Sequence, residues 1–139
     1  MSTRDKFRLI IRTPEEEVID REVESVYLTT ETGDMMLLPG HAAFSGSITY
    51  SPIILKDQTH EEEYVSRRGV VFFSNIKNEC HVLCQQAELK DRVDYDGLQA
   101  YLALIEAHIA KGDGLSDIHM RFLRDQKLAL VQEIESKEA

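Results

Sequence analysis

With 139 residues, a formal charge of −9 and a pI near 5.0, the chain has material for one good core and an appendage, since about 150 residues bury roughly 68–70% of their unfolded surface. The acidic balance repels a phosphate backbone over most of the surface and excludes nucleic acid as an expected partner. The most apolar run, Gly69 to Phe73, is far short of the ~20 apolar residues that span a bilayer. Residues 1–6 lead into a strand pattern and not into an apolar leader core, so a cytosolic chain without direct membrane insertion is expected.

From Phe7 to about Gln86 the pattern is one of short strands. Phe7, Leu9 and Ile11 alternate with Arg8, Ile10 and Arg12 ahead of a turn at Thr13-Pro14-Glu15. Val18-Ile19-Asp20 reads as a second strand, and Val23 to Thr30 as a third whose Val26 and Leu28 mark the apolar side. Glu31 to Asp34 is a turn, and the strand after it stops at Pro39, which lacks a ladder N–H. Further strands are read at Ile48–Tyr50, Ile53–Leu55, Tyr64–Ser66, Val70–Phe73 and Cys80–Cys84, with breaks at Asp57–His60 and Asn75–Asn78. Val70–Phe73 is expected to be covered on both faces, by sheet or by a partner, and Glu15–Glu17 and Glu61–Glu63 to be solvated turns. Such even spacing predicts an antiparallel β-sandwich or flattened barrel.

The period then changes. Leu98, Tyr101, Leu102, Ile105 and Ile109 recur at three and four residues, one stripe of a helix that Asp94 or Asp96 can cap. Gly112 and Gly114 end it, and Ser116 or Asp117 can cap a second helix carrying Met120, Leu123, Lys127, Leu130, Val131 and Ile134 near one face. The short loop folds the pair into an antiparallel hairpin. The expected division is a sandwich over residues 1–88, then the linker "AELKDRVD" and the hairpin over residues 89–139.

Two features invite chemistry. His41 follows Pro39-Gly40, a pair suited to the centre of a type II turn, whose second position needs a positive φ. No Ser-His-Asp or paired-carboxylate pattern surrounds it, so a turn or interface role is expected over catalysis. Cys80, His81 and Cys84 share one strand, which sends His81 to the face opposite both thiols and sets the cysteines about 13 Å apart. Reduced, half-buried thiols follow; the competing reading is a small metal-binding sandwich or enzyme using His41, His81 and Cys80.

The run "ETGDMMLLPGHAAF" resembles the segment of F-type ATP synthase epsilon subunits that reads roughly T-E-G-E-L-G-I-L-P-G-H-A-P, with Gly33, Asp34, Leu38, Pro39, Gly40, His41 and Ala42 on the motif. "FRLIIRTPEEEVIDREVESVYLTT" is similar to that family's opening strands, and "EEEYVSRRGVVFFSNIKNECHVLCQQAE" to its later ones. Departures are Met36 for a glycine, Ala43-Phe44-Ser45 for Pro-Leu-Leu, and Arg68-Gly69 for a Gly-Gly pair. "ETG" and "LPGHA-x-F" look closer to the alternative, sodium-associated branch.

The resemblance implies a non-catalytic rotor part, peripheral on the cytoplasmic face of a membrane. Its sandwich would dock on the gamma subunit and rest on the c-ring through Glu31, Gly33, Asp34, Gly40 and His41. The hairpin would fold down, or extend toward the catalytic beta subunits and block ATP hydrolysis. Some members bind ATP at the hairpin through I/L-D-x-x-R-A. Asp96 and Ala100 fall on that motif, but Gln99 replaces its arginine, and an amide cannot pair phosphate as a guanidinium does. Arg121 and Arg124 are the remaining candidate phosphate contacts; an exposed helix face explains them equally, and no cofactor is expected.

Overall fold

The computed structural model describes residues 5–112, 114 and 116–136; the first four residues of the expected leader-free start lie outside the described residues. Seven strands come first: β1 (Phe7–Arg12), β2 (Glu17–Val23), β3 (Ser25–Thr30), β4 (Gly33–Leu37), β5 (Phe44–Asp57), β6 (His60–Ser74) and β7 (Glu79–Leu89). A single 3-10 turn, Lys90–Arg92, precedes α1 (Tyr95–Lys111) and α2 (Asp117–Ser136). Two compact units divide between Arg92 and Val93.

The strands run in the order β2-β1-β7-β6-β5-β3-β4. Alternation explains the layering. Phe7, Leu9 and Ile11 of β1, Val26 and Leu28 of β3, and Cys80, Val82 and Cys84 of β7 all point into one cluster that draws on all seven strands. The ends of the hydrogen-bonded order therefore curl over each other as a sandwich. Polar ties hold the closure: Arg21 of β2 pairs with Glu62 of β6, Lys6 meets Asp57 at 2.8 Å, and the Glu24 N–H donates to the Lys56 carbonyl at 2.8 Å. Where β3 leaves β5, buried Ser51 takes over the ladder, its Oγ accepting the Thr29 N–H at 2.8 Å.

The sheet is antiparallel except where β1 lies parallel to β7, from Arg8 opposite Glu79 to Arg12 opposite Leu83. Several expected boundaries move. β5 and β6 are continuous where the sequence suggests two strands each, because Pro52 keeps its register opposite Val65. In β6, Arg68 stands at φ 56 without breaking the register on either side, Arg67 pairing with Gln86 and Gly69 with Cys84. Gly69 lies so close to β7 that a Cβ there would collide with the Leu83 carbonyl and stand 2.6 Å from the Cys84 Cα. The chain bends at Glu24, giving Val23 to β2. Ala87–Leu89 are strand and not linker, and Glu61–Glu63 lie in β6, Glu62 paired with Arg21 and Glu63 with Lys90 at 3.4 Å.

In the second unit the capping alternatives resolve. The Asp94 carboxylate accepts the Gly97 N–H at 3.0 Å and the Ser116 hydroxyl accepts the His119 N–H at 3.1 Å. Gly112 closes α1 in the left-handed region at φ 62, its N–H donating to the His108 carbonyl. The seam is Ile105, Leu123 and Leu130, with Leu98, Leu102 and Ile109 packed on it. Tyr101, expected on that stripe, is half exposed, while Glu133 is fully buried.

Candidate functional site

Two turns carry the residues that the sequence singles out. At the β3–β4 turn, Gly33 takes φ 120, a conformation for glycine, and brings the chain back along β3. The Glu31 carboxylate accepts the Ser47 N–H and the Ser47 hydroxyl, the latter at 3.0 Å, while its own N–H donates to the Ser47 carbonyl at 3.1 Å. These backbone N–H donors, Glu31's own and then Ser47's, hold its carboxyl below the usual carboxylate range. Asp34 accepts the Thr29 hydroxyl at 2.7 Å and is lowered by that bond and by the Tyr27 hydroxyl, whose own pKa is raised in return.

At the second turn, Gly40 stands at φ 79 and the His41 N–H donates to the Leu38 carbonyl at 3.1 Å, the geometry of a type II turn with Pro39-Gly40 at its centre. The His41 ring packs edge-on against Phe44 and Phe73, with centroids 5.5 and 5.6 Å away. Its Nδ1 lies 2.7 Å from the Ala42 carbonyl, which only accepts, so this nitrogen carries the proton of the bond. Glu31 and His41 thus rest on the same first residues of β5, at Ser47 and Phe44. The hydrogen bond of the His41 ring among the described residues is to a backbone carbonyl, not to the carboxylate or hydroxyl that a general base works with.

On the cysteine strand the thiols and the imidazole part to opposite faces. Cys80 and Cys84 lie in the core, more buried than the sequence suggests, and burial pushes their thiols up to about 12 and about 11. His81 faces the other way and stacks on Phe72, 4.8 Å between centroids. Among the described residues no three His, Cys, Asp or Glu side chains gather around a possible metal position.

That outer face carries exposed apolar side chains, on a side of the sheet that the sequence alone does not single out. Val70–Phe73 is covered on one face only: Val71 and Phe73 are buried, while Val70, Phe72 and neighbouring Leu83 are exposed by 46, 36 and 40%. Strict alternation was the available signal, hidden by four apolar residues in a row. Beside the patch, Arg8 bridges Asp20, at 2.6 and 2.7 Å, and Glu79, at 3.3 Å, and Glu79 reaches His81 at 3.1 Å. Arg8 holds the Asp20 carboxyl below its usual range, and His81, then Arg8, do the same for Glu79.

On the hairpin, Asp96 and Ala100 lie in the first turns of α1 and Arg121 and Arg124 in the first turns of α2, all exposed. Lys127 meets Glu106 at 3.5 Å, which fixes the antiparallel register. At 1.5 Å per residue Arg124 then sits roughly 20 Å along the axis from Asp96, with Arg121 farther. The two pairs are not brought together. Among the described residues no helix is long and apolar enough to cross a membrane.

Residues 6–90 match the family model described as the ATP synthase, Delta/Epsilon chain, beta-sandwich domain. The chloroplastic ATP synthase epsilon chains of Triticum aestivum and Zea mays are each 30% identical over 128 residues, covering 90% of this chain and 87% of theirs. In fold, the chain is similar over its whole length to a chain of the Euglena gracilis mitochondrial ATP synthase, with a TM-score of 0.78, 13% identity and 85% of that chain covered. A chain of the Tetrahymena thermophila mitochondrial ATP synthase central stalk and c-ring gives a TM-score of 0.70 at 12% identity, covering 99% of this chain and all of that one. Seven curled strands followed by two helices are the shared architecture, and the chain belongs to the ATP synthase delta/epsilon family.

Proposed function

We propose that this chain is a non-catalytic central-stalk subunit of an F-type ATP synthase, joining the gamma subunit to the c-ring and peripheral to the membrane on its cytoplasmic face. The observation that carries the reading is the family match across the whole sandwich, residues 6–90. The Tetrahymena structure, which holds the central stalk and c-ring, supports the partners. The ring-facing residues are Glu31, Gly33, Asp34, Gly40 and His41, polar or turn-forming groups already fixed by backbone bonds, so that docking freezes little further motion.

Gamma takes the outer face of β1, β7 and β6. Val70, Phe72 and Leu83 form a contiguous exposed patch there, whereas Met36 is the large exposed apolar side chain on the opposite sheet's β4. The hairpin is the regulatory element: extended, its Arg121, Arg124 and Lys127 would meet acidic ends of the catalytic beta subunits and slow ATP hydrolysis. Gln99 and the separation of Asp96 from Arg124 weigh against ATP at the hairpin, and no cofactor enters the proposal. The division of labour is a binding sandwich up to Arg92 and a regulatory hairpin from Val93 onward.

Co-purification with gamma and the c-ring tests the reading, using the full chain and a chain ending at Val93. Both are expected to hold gamma and ring, and only the full chain to lower ATPase activity. A full chain that never associates with gamma overturns the stalk assignment. Phe72→Glu is expected to lower gamma association at least tenfold.

A further inference from the structure

We infer that the β6–β7 turn, Asn75 to Asn78, is the second half of the ring-facing contact. Asn75 and Asn78 are positioning residues that lock the His41 loop, and Ile76 is an apolar side chain that meets the ring. This rests on the reading above, in which the loop of Gly40 and His41 faces the ring.

Three segments far apart in sequence are tied at one point. Asn78 stands at φ 56, a conformation asparagine adopts more readily than most residues. Its Oδ1 accepts the Gly40 N–H at 2.8 Å, its Nδ2 donates to the Lys6 carbonyl at 2.8 Å, and its own carbonyl accepts the Arg8 N–H at 3.2 Å. Asn75 Nδ2 donates to the carbonyls of both Gly40 and His41 at 2.9 Å. Gly40 thus has its N–H and its C=O each held by an asparagine of the same turn. The His41 ring, wedged against Phe44 and Phe73, is fixed as a consequence.

The exposed tips of this frame are aliphatic. Ile76 is 91% exposed between the two asparagines, and Leu38, first residue of the Pro39-Gly40 turn, is 52% exposed. One solvated aliphatic side chain needs no explanation. Two on loops bonded to each other through the same two asparagines present a stiff apolar corner, and the order of that corner is spent before docking and not during it. Lys77 places a cation beside Ile76, on the same turn.

The test uses the full chain in the assembled, membrane-bound complex. Ile76→Cys and His41→Cys are labelled with a photoreactive maleimide; Cys80 and Cys84, buried with raised thiol pKa, stay unlabelled. Both labels are expected to cross-link to the ring polypeptide. Asn78→Gly, which keeps the backbone angle, and Asn75→Ala are expected to lower ring retention about tenfold while gamma retention and melting temperature stay at their unsubstituted values. Cross-linking to the ring from His41→Cys but not from Ile76→Cys, or undiminished ring retention in Asn78→Gly and Asn75→Ala, overturns this inference and leaves the ring-facing reading standing. If gamma and ring retention fall together with the melting temperature, the asparagines serve stability and the positioning role is overturned. If neither cysteine reaches the ring, the ring-facing reading itself fails, and the inference with it.

Discussion

In the sandwich, 17 buried residues from all seven strands meet in one cluster, whereas the hairpin's seam has three, Ile105, Leu123 and Leu130, among the described residues. The hairpin also leaves Leu104, Ile118 and Leu128 more than half exposed and buries a carboxylate, Glu133. Burial of apolar surface contributes roughly 25 cal/mol per Å², so the first unit has its stability built in and the second has little to spare. Helices draw most of their stability from the packing of an apolar face, so two helices with so narrow a seam are marginal in water. A rigid part and a part that is cheap to open are what docking and regulation respectively require.

Paired truncations probe that contrast most strongly. Leu28→Ala, in the closed core, is expected to cost the sandwich about 3 kcal/mol, read as a lower urea midpoint by tyrosine fluorescence. Leu123→Ala, in the hairpin seam, is expected to abolish the helical circular-dichroism signal of the hairpin without moving the sandwich midpoint. A single shared transition in both variants would mean that the units are energetically one.

A smaller effect is expected at the start of the hairpin. Asp94→Ala removes the acceptor of the Gly97 N–H and should cost α1 about 1 kcal/mol. Amide exchange in Tyr95–Lys111 should quicken while that of β7 does not. Within the sandwich, Arg68→Gly is expected to have the opposite sign. Relieving a non-glycine residue at φ 56 should raise stability by up to about 1 kcal/mol, visible as a higher urea midpoint.

The smallest effect is electrostatic. Asp20, Glu31, Asp34 and Glu79 all have folded pKa values below their ordinary ones. A depressed folded pKa means the unfolded chain binds protons first. The contribution is therefore complete above the ordinary carboxylate range, near about 4, and is lost as pH falls from there through the lower folded values. Carbon-13 titration of Glu31 should show a midpoint below that of a free glutamate, and Ser47→Pro, which deletes the backbone donor, should raise it. Asp20, Glu31 and Asp34 are exposed and Glu79 is half-buried at the surface, so the sandwich midpoint itself should shift only slightly.

Much of this arrangement could be read along the chain. The alternation in β1, the Val26 and Leu28 pair in β3, the stripe around Ile105 and the Pro39-Gly40 corner are local patterns with local causes. Reading fails where local signals compete with distant partners. Pro52 and Arg68-Gly69 look like breaks, but the long β5–β6 ladder carries Pro52 in register, and β5 and β7 on either side carry Arg68-Gly69. Val70 to Phe73 looks covered because nothing in an apolar run says which residues face outward. The partners of Gly40 lie 35 and 38 residues away, so the corner was visible but not what grips it. The burial of Glu133 runs against every polarity rule by which a helix face is assigned.

The parallel ladder between β1 and β7 also bears on how the protein is made. During synthesis β1 gains β2 quickly, but its other neighbour is the last strand of the sheet, complete to Leu83 only when Glu79 onward has been synthesised. Closure of the sheet is thus a late event with large sequence separation, the kind of contact that forms slowly. The residues after Leu89 are then still being added. β1 and β7 thus meet only after every other strand of the sheet has been made.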